Sequence, residues 1–222
     1  MRSATTCRTG GSRHIATTAL LLAFVQATAC AQTSPARISA ASETPAMSSN
    51  ATRVESDDVV VDVRFEARAG APLEVHYRLQ NIGAAPLAVF DRGDRHAVLT
   101  KRHATGDIGQ PDTRDEGNGD ITLSHMAKPL PTPSPTLPPV PLAAKVESGG
   151  VLEGRFTASP MSLDAPKRLR WCLGVSTFEP ARFSAPEQVG GIEIWHASFD
   201  EAARQKTVCT PWFDIASSRF ET

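Results

Sequence analysis

The chain has 222 residues, of which 41% are hydrophobic and 21% charged, with a formal net charge of −1. That length holds one all-β domain or two small ones, and the charge balance excludes a disordered tail and a polybasic nucleic-acid binder. Aromatic content of 6% against 17 Pro and 15 Gly favours short strands joined by many turns over long helices.

Arg2, Arg8 and Arg13 precede an apolar run from Ile15 to Val25 that only Thr17 and Thr18 interrupt. A basic start and a short apolar run define a secretory signal peptide over residues 1–29. The run is about half the roughly 20 residues of a spanning helix, so the mature protein is not expected to be integral to the membrane. Ala27-Thr28-Ala29-Cys30 resembles the lipobox of bacterial lipoproteins, although Ala27 stands where that family usually has Leu. The resemblance implies that Cys30 becomes the first residue and carries the lipid. The other reading is ordinary cleavage before Gln32, after the small-x-small site Ala29-Cys30-Ala31.

Cys7 leaves with the signal, and Cys172 and Cys209 remain in the body. Lipidation or loss of Cys30 leaves these two as one pair, expected to form a disulfide in an oxidising compartment. Removing residues 1–29 leaves 20 basic against 24 acidic residues, a net −4, which disfavours nucleic acid or anionic headgroups as partners. Residues 30–56 read as anchor and flexible tether, because Ser, Thr, Ala and Pro there bury too little surface to offset ordering entropy. The domain is expected over residues 57–222.

From Val59, apolar and polar residues alternate to Arg68, and again from Leu73 to Gln80 beyond the Gly70-Ala71-Pro72 turn, as two antiparallel neighbours. Asn81 to Pro86 makes the next turn, with Gly83 free to take positive φ, and leads into Leu87-Ala88-Val89-Phe90. Another strand is expected near His96 to Lys101. The segment Leu73 to Arg95 resembles the early strands of bacterial immunoglobulin-like domains, including the intracellular proteinase inhibitor type. That resemblance implies a sandwich, and it raises an inhibitor or immunity role.

Residues 102–119 are polar and rich in Gly and Asp, expected as a long mobile loop. Ile121 and Leu123 resume pairing, and then seven prolines fall within residues 129–141, expected to run along an edge or across the surface. Leu142 to Glu147 and Val151 to Ala158 flank a Ser-Gly-Gly hairpin. Leu169 to Thr177 reads as a buried strand, residues 178–191 as loop, and Thr207 to Ile215 as the last strand. Ser198-Phe199-Asp200-Glu201 has the form of a capping box opening one short helix to about Lys206. Together these give an all-β, immunoglobulin-like antiparallel sandwich with one short helix near the C-terminus.

Motifs for nucleophilic hydrolysis, zinc hydrolysis, dithiol redox work and dinucleotide binding do not occur, so no catalytic residue, metal or cofactor is expected. His76, His96, His103, His125 and His196 read as surface histidines, and the acidic run Asp112 to Asp120 fails the calcium-loop register. Trp171 and Trp212 read as core packing around the disulfide. The chain is thus expected to be an exported, lipid-anchored, non-catalytic module with an envelope protein as partner. The alternatives are an inhibitor or immunity protein and a hydrolase with a dispersed site. Arg92, Asp94 and Arg95, with the loop 102–119, are the expected contact surface, and Trp195 is its aromatic anchor.

Overall fold

The computed structural model of the chain describes residues 48–68, 70–159 and 165–221, all within the unit Thr44–Thr222. The signal segment, Cys30 and most of the tether lie outside the described residues. In chain order the elements are β1 (Ala51–Ser56), β2 (Val59–Glu66), β3 (Leu73–Asn81), β4 (Leu87–Val89), α1 (Arg95–Leu99), β5 (Asp112–Gly117), β6 (Asp120–His125) and β7 (Leu142–Val146). There follow β8 (Val151–Ala158), β9 (Arg168–Thr177), β10 (Phe183–Val189), β11 (Ile192–Ala197), α2 (Glu201–Arg204), β12 (Lys206–Cys209), β13 (Phe213–Asp214) and β14 (Arg219–Phe220).

These strands form two sheets packed as a sandwich. One sheet has the order β1-β2-β3-β8; the other runs β10-β11-β7-β4-β9-β13-β14, with β6 and β12 also on β9 and β5 on β6. Val175 of β9 pairs with Val89 and with Lys206, and Cys172 pairs with Ser124 and with Cys209. Each residue has one neighbour on each side, so β4 and β6 share one edge of β9, and β12 lies on the other. The β6–β9 pair is parallel, which the long excursion between them permits.

Alternation sets the core. Val59, Val61, Val63 and Phe65 of β2 and Leu73, Val75, Tyr77 and Leu79 of β3 face Ile121, Leu123, Leu169, Trp171 and Leu173 from the other sheet. Full burial of each such side chain contributes about 1.5–3 kcal/mol. A second cluster, Ala88, Phe90, Ala143, Phe178, Phe183 and Ala197, holds residues of opposite parity on β4, β7 and β11. It therefore lies on the outer face of the large sheet, with Trp195 packed against it.

Five local expectations change. Residues 51–56, read as tether, form β1, paired along its length with β2 through the two-residue turn Asp57-Asp58; only its Val54 packs against the core, so its pattern is faint. The segment expected as a strand near His96 to Lys101 holds instead the helix α1 (Arg95–Leu99), which the Asp94 carboxylate caps by accepting from the Ala97 amide at 2.8 Å. The loop 102–119 contains β5, since Gly117-Asn118-Gly119, all at positive φ, turns it back onto β6. The loop 178–191 contains β10, returned to β11 by Gly190-Gly191 in the same way. Gly83 is not among the positive-φ glycines; a Cβ there would sit 2.7 Å from Asp58 Cβ, so close packing requires the glycine.

Cys172 and Cys209 are direct cross-strand partners on β9 and β12 and are disulfide-bonded, with Cα atoms 4.0 Å apart. Their loop spans 37 positions. Trp171 enters the core as expected, whereas Trp212 does not: it is half-buried on the outer face, with the Arg168 and Arg170 guanidiniums 5.1 and 4.5 Å from its ring.

Candidate functional site

Three groups of chemistry-bearing residues stand out. The first is sealed inside the sandwich. Tyr77 of β3 donates its hydroxyl to Asp91 Oδ2, and Arg92 Nε lies 2.9 Å from Asp91 Oδ1 as an ion pair off hydrogen-bond geometry. Asp91 is fully buried and the Arg92 side chain is 4% exposed. Arg92 Nη1 donates to the Gly106 carbonyl at 2.6 Å, while its buried Nη2 has no hydrogen-bond partner among the described residues.

His125 of β6 extends this group. Trp171 Nε1 donates to its Nδ1 at 3.0 Å, so Nε2 carries the proton and donates to the Gly109 carbonyl at 2.8 Å. Burial holds the His125 pKa below its ordinary value, against the raising effect of the Gly109 bond and of the Asp91 and Asp112 charges. Burial first, and then the Asp91 charge, push the Tyr77 hydroxyl well above its usual value. The network straps the segment 91–110 to the core. Gly93 and Gly109 let its two limbs touch: a Cβ on Gly109 would meet Gly93 Cα at 2.8 Å.

The second group lies on the solvent face of the same strands. Glu66 ends β2 directly opposite Glu74 of β3, and His76 follows two residues later on the same face. His76 Nε2 is 3.0 Å from Glu74 Oε1 and 4.0 Å from Glu66 Oε1. Arg64 and Arg68 contact Glu66 at 2.6 and 3.0 Å, from side chains 51% and 73% exposed.

The third is the proline arm. Residues 128–137 are exposed throughout, and Leu130 and Leu137 are among the exposed large hydrophobics. Both ends are held. Gln205 bonds the Ala127 amide and carbonyl at 2.9 and 2.8 Å; Val140 and Pro141 accept from the Arg95 and Ala197 amides, each at 2.9 Å. No charged residue falls between Lys128 and Lys145. The arm's side chains face water.

The expected contact residues separate. Arg92 is buried and ion-paired, so it is withdrawn from any partner surface, and Asp94 is engaged as the α1 cap. Arg95 is exposed at the foot of the arm. Trp195 is half-buried, edge-on to Phe178 at 5.0 Å, with its buried Nε1 lacking a partner among the described residues. It belongs to the second cluster and does not share a patch with Arg92. His125 is a core residue and not a surface one; its apolar neighbours Ile121 and Leu123 mark the strand, but their parity alone places His125 inward. Glu201 is also fully buried, bonded by Ser176 at 2.6 Å and ion-paired with Arg182, instead of closing a capping box. Comparison of the chain with protein-family models, curated proteins and solved structures finds no match.

Proposed function

We propose that this sandwich is a non-catalytic protein-binding module of the bacterial envelope, held to the membrane by a lipid on Cys30, and that the proline arm is its contact element. The observation that carries this reading is the exposed arm, with Leu130 and Leu137 in water on a segment fixed at both ends. Core stability does not account for two leucines left in solvent. A segment whose prolines and end bonds already limit its freedom loses little entropy when it docks. Uncharged beyond Lys128, it suits an apolar, aromatic-lined groove, which is how extended proline-rich segments are commonly received.

A photo-reactive residue at Leu137 in living cells is expected to give one discrete protein adduct, lost when Leu130 and Leu137 are both serine. A smear that the double substitution leaves unchanged, or turnover of ester, glycan or peptide substrates by the purified chain, would overturn the reading. The constrained arm also favours the inhibitor or immunity reading, in which it plugs an enzyme's cleft; the adduct is then an enzyme whose activity falls on binding. Fatty-acid labelling is expected in the wild type and not in Cys30→Ser, and equal labelling of both removes the anchor from the proposal.

A further inference from the structure

We infer that Glu66, Glu74 and His76 form a surface site for a divalent transition-metal ion, with zinc as the best-matched ion. A strand places residues i and i+2 on one face, so Glu74 and His76 point the same way, and the hairpin register sets Glu66 beside them. The donor atoms of the three lie within 4.8 Å of one another. Two ligands at 2.0–2.1 Å from a tetrahedral centre are about 3.3 Å apart. The observed separations of 3.0 Å from His76 Nε2 to Glu74 and 4.0 Å to Glu66 straddle that value, so small side-chain rotations bring all three onto one ion.

The donor set selects the ion. Calcium takes six to eight oxygens, and magnesium keeps most of its water, whereas one imidazole and two carboxylates suit zinc with a water in the fourth position. Arg64 and Arg68 are the competitors, since they now neutralise Glu66. Both side chains are more than half exposed and such pairs are weak, so an ion at the site displaces them into solvent. Arg155, opposite His76 on β8, adds repulsion that lowers affinity without blocking access.

Titration of the purified full-length chain with Zn²⁺, followed by calorimetry, tests the site. One ion per chain is expected. Loss of a partner one step removed from a metal already weakens binding by about 10–100-fold, so His76→Ala and Glu74→Gln should each weaken it by at least about tenfold. Arg64→Ala should tighten binding, because it removes a competitor without touching a ligand. Ca²⁺ should not displace the zinc. Absence of saturable binding, equal affinity in His76→Ala, or no gain in Arg64→Ala would overturn the proposal; unchanged melting temperatures in these half-exposed variants exclude misfolding as the cause.

Discussion

The two faces of β3 carry neighbouring residues with opposite fates. Tyr77 points inward and joins Asp91, Arg92, His125 and Trp171 in a buried array, while His76 and Arg78 point outward and join a lattice of ion pairs on the small sheet. The charge types are alike on both sides, but the surroundings differ. Inside, a charge without its partner has no water to turn to; outside, water replaces a lost partner at once. The inner array therefore fixes the segment 91–110, and the outer lattice is free to exchange its partners.

The largest effect should come from Asp91→Asn. It leaves the Arg92 guanidinium buried without its counterion, and breaking a buried pair in this way costs about 3–5 kcal/mol. Chemical denaturation checks the loss. Removing both charges, as Asp91→Asn with Arg92→Met, should recover part of it; if the single and double variants are equally destabilised, the cost lies in packing and the contrast between the faces fails.

An outer face becomes rigid when its contact is covalent. The Cys172–Cys209 bond lies on the outward parity of β9 and closes a loop of 37 positions, for which chain entropy gives about 3–4 kcal/mol. The Cys172→Ala, Cys209→Ala double variant should lose that amount in denaturation. A negligible loss would mean that the unfolded chain is already compact without the bond, so that closing the loop removes little of its entropy.

His125 sharpens the contrast through pH. Burial places its folded-state pKa below the 6.5 of an unperturbed histidine, so the unfolded chain takes the proton first. Its stability contribution is complete above pH 6.5 and is lost as pH falls from there toward the folded-state pKa. Protonated Nδ1 would face the Trp171 Nε1 donor head-on, so acid should loosen the Trp171 contact first, while Nε2 goes on donating to the Gly109 carbonyl. His125→Phe should remove this slope and cost about 1–3 kcal/mol at neutral pH, since it orphans the Trp171 donor and the Gly109 carbonyl. A slope unchanged in the variant assigns the pH dependence elsewhere.

What the sequence makes legible follows the same division. Strands with one buried face, β2 and β3, announce themselves by alternation, and the Cys172–Cys209 pair follows from counting cysteines. β5 and β10 do not, because nearly all their side chains are exposed and only the Asn118-Gly119 and Gly190-Gly191 turns betray them. α1 was signalled by Asp94 three residues before Ala97, a cap outweighed by the apolar run that follows it. The burial of His125 is carried by the parity of Ile121 and Leu123, whereas that of Arg92, which lies outside any strand, depends on partners from elsewhere in the fold, so no local pattern carries it. The set Glu66, Glu74 and His76 was readable in principle, from Glu-x-His on one predicted strand and the register fixed by the Gly70 turn.

The smallest effect is expected at the edge of the small sheet. Arg53 contacts Glu55 at 3.0 Å and Asp62 at 3.1 Å, from a side chain 45% exposed. These two carboxylates raise the arginine's pKa, but the group lies open to solvent, where salt screens both pairs and hydration replaces them. Arg53→Ala should therefore leave the melting temperature unresolved from wild type, and any residual difference should shrink as salt is raised. The Asp91→Asn loss should be insensitive to the same salt series, because ions do not reach a fully buried carboxylate. If instead the two variants respond alike to salt, the inner array is accessible to solvent, and burial is not what separates the two faces of β3.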